Sequence, residues 1–296
     1  MLKFSVSNVK LFLFLQSIPI FHHFFVFYLP ALDHIKNDTV RGHIFSALRY
    51  GDVTGKFTAE NRFSDIDKET VHLLSSSFEM HDVAVSSGVT SLNLLDEITK
   101  SGKRGCLTIS DKFSEMYVQG NILTRVYDAD KKLRTIYFFG ILFDQNLSKI
   151  FFLSKNLFKP LSFLKIGGDL KHLFILSYSV INAIKEKRIH YTRFDVFSGP
   201  TEKKYTFIRC MNLLNSCYFN NEQIAAAVAN LRDSLIEGGI LLLGRTIDTD
   251  KNRASFYRKE GKKLYLVSEK NGGAEIHSIV ESLNIDFVAQ KKSAVL

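Results

Sequence analysis

The chain has 296 residues, 46% of them apolar and 23% charged, which excludes a disordered chain and leaves room for one large α/β domain with an appendage or for two small domains. Its formal charge of +9 comes from lysines and arginines scattered in pairs such as Lys131-Lys132, Lys203-Lys204 and Lys262-Lys263, a pattern of solvated surface from which no specific nucleic-acid partner is expected. The three cysteines, Cys106, Cys210 and Cys217, show neither a CxxC pair nor metal-like spacing with histidine, which excludes a disulfide scaffold and fits a reducing, cytoplasmic setting.

At the amino end, residues 11–29 read LFLFLQSIPIFHHFFVFYL, nearly the length of a bilayer span, behind Lys3 and Lys10. Gln16, Pro19 and the pair His22-His23 stand near its middle, where hydrocarbon penalises them, and no small-residue cleavage site follows. The segment admits three readings: a packed or peripheral helix, a membrane anchor, or a piece outside the working domain. Helix-like apolar spacing returns at 43–48 and 71–74, so residues 1–75 read as an apolar segment with a helical extension.

From 76 to 290 strands and helices alternate, which predicts an α/β domain with a doubly wound, mostly parallel sheet. Residues 82–88 read as a strand running into a small-residue turn. A helix over 89–99 follows, with Leu92, Leu95 and Ile98 on one face, then a strand over 105–110 that ends at Asp111. Further on, 188–197 reads as a strand ending at Asp195 and 205–211 as another. Residues 222–235 form a strongly amphipathic helix, with Asn220 or Asn221 as its N-cap and Gly238-Gly239 as its end. Residues 240–243 are a central parallel strand, 254–257 and 264–267 an antiparallel pair, and a helix is expected around 274–283.

Between 121 and 187 the crossover is far longer than an ordinary βαβ connection. It holds a hairpin around the turn at 128–131, then an apolar stretch over 150–166 punctuated by Lys155, Lys159 and Lys165. That stretch is either an inserted subdomain with its own core or a lid or membrane-facing patch; peripheral membrane contact through 11–29 or 150–166 is an expectation.

A ligand on such a sheet sits at the carboxyl ends of the strands, where backbone must come close and small residues are needed. Ser86, Ser87 and Gly88, with Thr90 and Ser91 behind them, meet that need, though any tight turn would use the same residues. Asp111, at the end of the second strand, can accept both hydroxyls of a ribose or cap the following helix. Asp195, between Phe194 and Val196, can take the amino group of an adenine or cap its own loop.

Residues 205–246 read YTFIRCMNLLNSCYFNNEQIAAAVANLRDSLIEGGILLLGRT. Their layout of aromatic-apolar strand, polar residue, helix, double glycine and apolar strand resembles the class I, Rossmann-like S-adenosylmethionine-dependent methyltransferases. Arg209 to Leu214, Tyr218-Phe219 and Gly244-Arg245-Thr246 are most similar to the chemotaxis-receptor methyltransferases. With 82–91 and Asp111 added, the resemblance covers about residues 70–290, broken by the insertion. It implies S-adenosyl-L-methionine as cofactor, held by Ser86, Ser87, Gly88 and Thr90 in the loop, by Asp111 at the ribose and by Asp195 at the adenine. It also implies that Asn212 lies near the transferred methyl. The loop departs from the family, since Ala84, Ser86 and Thr90 stand where an acidic residue and glycines are usual, and the dehydrogenase fingerprint G-x-G-x-x-G is absent.

Methyl transfer asks mainly for alignment, because the sulfonium is already activated, and a general base is optional. Arg209 and Asn212 are the expected catalytic groups, with Asn215, Tyr218 and Arg245 as further acceptor-side candidates and no metal site. Arg209 or Arg245 can hold an anionic acceptor or serve as a structural ion-pair partner. The acceptor, whether a small molecule, a lipid-like compound or a protein side chain, is not fixed by these residues. The degenerate loop leaves a second expectation open: a catalytically inactive Rossmann-like module acting as a binding or membrane-associated partner.

Overall fold

The computed structural model describes residues 4–21, 24–48, 60–120, 122–138, 141–144, 159–164, 167–248 and 251–284. In chain order the elements are β1 (Phe4–Val6), α1 (Val9–Ser17), β2 (Phe25–Phe27), a 3-10 turn (Leu29–His34), α2 (Asp38–Ala47), α3 (Ser64–Leu73), β3 (Ser77–Val83), α4 (Val89–Lys100) and β4 (Arg104–Ser110). Then come β5 (Glu115–Gln119), β6 (Leu123–Asp128), β7 (Leu133–Phe138), β8 (Ile141–Asp144), β9 (Lys171–Phe174), α5 (Tyr178–Lys185) and β10 (His190–Thr192). The chain closes with β11 (Tyr205–Met211), α6 (Asn221–Asp233), β12 (Leu235–Asp248), β13 (Lys251–Glu260), β14 (Lys263–Lys270) and a helix over 277–284. Two compact units result, one from 1–58 with 113–182, the other from 59–112 with 183–296.

In the first unit a seven-stranded sheet runs β2-β1-β8-β7-β6-β5-β9, with only β1 and β2 parallel. The expected hairpin is its β6–β7 pair. Beside its helices, the amino-terminal segment supplies two strands to the sheet that the insertion builds, Phe4 lying opposite both Phe25 and Ile141. Helix α1 stops because Pro19 bars helical backbone at Ile18, which takes φ −93° and ψ 116°. Among the described residues no helix is long and apolar enough to cross a membrane. Phe12, Phe27, Leu29, Leu32, Ile44 and Phe45 pack into one core. Inside it lies Arg41, whose guanidinium donates to the carbonyls of Leu32, Ile35, Phe174 and Leu176. Of the apolar stretch over 150–166 only 159–164 are among the described residues; Lys155 and Lys165 lie outside them.

The second unit holds the expected sheet, ordered β10-β4-β3-β11-β12-β13-β14, with the first five strands parallel and the last two antiparallel. Counted by order in the chain, the parallel half reads third, second, first, fourth, fifth, the order of a doubly wound sheet. Side chains alternate between its faces. Val83, Ile208, Cys210, Leu241 and Leu243 pack with Ile224, Ala227, Val228 and Leu231 of α6 and with Val280. The other face carries Asp82 and Arg209 toward α3 and α4. On α4 the buried positions are Val89, Thr90, Ser91, Leu94 and Ile98; of the expected face, Ile98 is buried and Leu92 and Leu95 are half-buried. The strand expected over 188–197 is only three residues long, so Asp195 stands in the turn beyond it. The cysteines are free, and burial next to Asp82 pushes the Cys210 thiol up to about 12, leaving it inert at neutral pH.

Helix α6 begins at a reciprocal cap: the Asn220 carboxamide accepts from the Gln223 N–H, and the Gln223 side chain accepts from the Asn220 N–H. Asn220→Ala is expected to cost about 1 kcal/mol, read as a shift in urea midpoint at constant slope. Gly238-Gly239 does not end this helix. Helix α6 stops at Asp233, and Gly238, at φ +75°, lies within β12 where its pairing with β11 slips between Tyr205–Leu235 and Phe207–Ile240.

Candidate functional site

The sheet of the second unit reverses its winding between β3 and β11, and the carboxyl ends of those strands are where such sheets bind ligands. Residues 84–88 connect β3 to α4 there. Ala84, Ser86 and Gly88 take φ of +60°, +58° and +79°, every second residue in the left-handed region. Only glycine enters that region without strain, so at Ala84 and Ser86 the fold holds a backbone shape that their side chains oppose. The turn is fixed by Val85 N–H donating to the Ser110 carbonyl and by Gly88 N–H donating to that of Val85. Gly88 caps α4 without a side-chain bond, and the Ser86 hydroxyl oxygen is buried with no hydrogen-bond partner among the described residues.

Beyond Ser86 and Gly88, five of the expected positions lie at these strand ends. Asp111, 7% exposed, follows β4 and accepts the Ser86 N–H at 2.9 Å. Ser87 is buried in the same turn and Thr90 at the start of α4, where its carbonyl faces inward to Arg209. Asp195 lies after β10, takes the Phe197 N–H at 3.1 Å and pairs with Lys112 at 2.6 Å. Asn212 follows β11 at φ +58°; its N–H donates to the Gly244 carbonyl, and its carboxamide oxygen accepts the Thr246 N–H at 2.7 Å.

Arg209 does not belong to the acceptor side. It is 1% exposed in the middle of β11, and its guanidinium donates to both carboxylate oxygens of Asp82, to Asp67 of α3 and to the Thr90 carbonyl. Burial opposes the Arg209 charge, but Asp82 and Asp67 outweigh it and raise its pKa above the ordinary value. Burial also pushes Asp67 up, to about 6, against the attraction of Arg209 and with the nearby Asp82 charge adding to the rise. The group ties α3 and the start of α4 to the sheet beneath the turn at 84–88.

The other acceptor-side candidates are dispersed. Asn215 is buried and spends its carboxamide on its own turn, donating to the Leu213 carbonyl and accepting the Cys217 N–H. Arg245 pairs with Glu275 at 2.6 Å, and Tyr218 is exposed.

A network that the sequence did not disclose lies beside Asn212. The Thr246 hydroxyl donates to the Asn252 carboxamide oxygen at 2.8 Å and accepts the Arg62 Nε–H at 3.1 Å, while Asn252 Nδ2 donates to the Arg62 carbonyl and to Asp65. Arg62 and Thr246 are 184 residues apart, and no spacing signals such a contact. Arg209 was legible as a candidate, being the one charged residue of β11.

No protein-family model and no curated protein sequence matches the chain. Among solved structures the chain is similar to an S-adenosylmethionine-dependent methyltransferase from Clostridium acetobutylicum, at 12% identity over 76% of this chain and 80% of that one, with a TM-score of 0.34. It is similar also to the N-methyltransferase NodS from Bradyrhizobium japonicum, solved with S-adenosyl-L-homocysteine, at 11% identity over 62% of each chain and a TM-score of 0.31. A third is the PH0226 protein from Pyrococcus horikoshii, at 10% identity over 75% of this chain and 78% of that one, with a TM-score of 0.34. The match to NodS spans less than two thirds of that protein's length.

Proposed function

We propose that the second unit is an S-adenosyl-L-methionine-dependent methyltransferase acting on an acceptor still to be identified. The observation that carries this reading is the turn at 84–88. Its alternate left-handed residues, its buried and unpartnered Ser86 hydroxyl and its attachment to Asp111 form a polar cradle at the point where the sheet reverses. The donors suit the cofactor: the Ser86 hydroxyl and the backbone of 84–88 would hold its methionine part, and Asp111 its ribose hydroxyls. Asp195 would take the adenine amino group by sharing its carboxylate with Lys112. When bound, the cofactor supplies a methyl group on a sulfonium.

The chain's own part is then alignment and exclusion of water. Asn212, fixed by Gly244 and Thr246, offers a rigid edge next to the turn against which an acceptor can be set.

Isothermal titration with S-adenosyl-L-methionine and S-adenosyl-L-homocysteine tests the reading. Both ligands are expected to bind. Asp111→Asn, which keeps an oxygen for the Ser86 N–H, is expected to weaken them about tenfold or more with the circular dichroism unchanged. Absence of heat at millimolar ligand would overturn the assignment.

A further inference from the structure

The buried arginines of the described chain are satisfied. Arg41 reaches four carbonyls, Arg209 two carboxylates and a carbonyl, and Arg232 the Asp233 carboxylate and the Lys262 carbonyl. Arg62 is different. Half-buried at the start of α3, it uses Nε on the Thr246 hydroxyl at 3.1 Å, and its two terminal nitrogens have no partner among the described residues. Of the two nearest carboxylates in sequence, Glu60 is exposed and Asp65 accepts from Asn252 instead. The Phe63 ring, 4% exposed, has its centroid 5.8 Å from the guanidinium of Arg62 and 5.8 Å from that of Arg209. Burial without a counter-ion pulls the Arg62 pKa below that of an ordinary guanidinium.

A guanidinium fork held out of full solvent with its paired N–H groups unspent is a receptor for a planar or tetrahedral oxyanion. Its position supplies the context. Thr246, which fixes Nε, also donates its N–H to Asn212, so Arg62 sits one hydrogen-bonded residue away from the group that would border the reacting methyl. Asn252 holds the Arg62 backbone through its carbonyl at 2.7 Å and closes the network on Thr246, so the fork does not swing freely.

We propose that Arg62 is the anion-binding residue of the acceptor site, so that the acceptor carries a carboxylate or phosphate group held by the Arg62 fork beside Asn212 and Thr246. The proposal rests on the methyltransferase reading for the nature of the neighbouring site, but not for the existence of the anion receptor.

The test uses the full chain and three probes of one shape: benzoate, phenyl phosphate and neutral benzamide, each followed by ligand-observed NMR with and without S-adenosyl-L-homocysteine. Benzoate or phenyl phosphate is expected to bind at least about tenfold more tightly than benzamide, the better of the two naming the acceptor's anion. Arg62→Gln should remove that preference while leaving the titration with S-adenosyl-L-homocysteine unchanged, and Arg62→Lys should keep part of it, since the charge stays and the fork goes. Equal binding of charged and neutral probes by the native chain would overturn the proposal without recourse to any variant. So would a charge preference that survives in Arg62→Gln. Arg62-dependent anion binding by a chain that fails to bind S-adenosyl-L-homocysteine would uphold the receptor and sink the methyltransferase reading.

Discussion

Arg209→Met is expected to lower the unfolding free energy by about 3–5 kcal/mol at neutral pH, because it strands two carboxylates in the interior with no cation between them. Asp67 is 1% exposed and Asp82 3%, and the guanidinium they share is their only cation among the described contacts. The pH dependence marks the cause. With burial already pushing Asp67 up to about 6, removing the cation drives it higher still. Protonation of the raised acid then relieves the variant as pH falls, so its deficit relative to the native chain should be smaller at pH 5 than at pH 7.5. Adding Asp67→Asn to the variant should recover part of the loss at pH 7.5 by removing one of the stranded charges. Urea unfolding followed by circular dichroism at the two pH values reads all of this. A variant as stable as the native chain, but defective in acceptor binding, would instead return Arg209 to the acceptor site.

The order of strands and helices in the second unit was legible because each element carries a strong local signal. The apolar run at 240–243, the period of α6 and the cap at Asn220 require nothing from distant residues. The small-residue turn at 84–88 was legible as a turn but not as a strained one; left-handed backbone at Ala84 and Ser86 is imposed by the sheet and by Asp111, against the residues' own preference. Arg209 was misplaced for the opposite reason. An arginine near a strand end suggests an exposed cation, and only the register that sets it opposite Asp82, together with Asp67 arriving from α3, turns it into a buried tie. The amino-terminal strands were hidden because each is three residues long, and β1, on which β2 pairs, is tied to an insertion more than a hundred residues downstream. Arg62 was silent because its meaning lies in what its terminal nitrogens lack, a partner among the described residues, and sequence does not display that.

A second large effect is expected from His81, in the middle of β3. Its ring is 0% exposed, with centroids 4.6 Å from Tyr205 and 5.5 Å from Phe194; Nε2 meets the Ser110 hydroxyl at 2.7 Å, and Nδ1 is buried without a partner. Desolvation lowers its pKa from 6.5 to about 4, the Asp82 charge opposing and Lys203 reinforcing the fall. The folded chain therefore holds His81 neutral where the unfolded chain takes a proton. The stability this confers is fully present above pH 6.5 and is lost as pH drops toward 4, by about 3 kcal/mol in all. Asp67 runs the other way: its raised pKa of about 6 makes the folded state gain stability as pH falls from 6 toward 3.8, so the two slopes partly cancel in the native chain. The effect must be read as a difference. The double variant His81→Phe, Ser110→Ala keeps an aromatic ring between Tyr205 and Phe194, leaves no hydroxyl unpaired and removes the titration. Its unfolding free energy, measured in urea at pH 7, 5.5 and 4.5, should fall less steeply with acid than that of the native chain, by up to about 1.4 kcal/mol per pH unit between the two pKa values. Parallel profiles would mean that the folded chain protonates His81 as readily as the unfolded one, through a motion of β3 that opens Nδ1 to water.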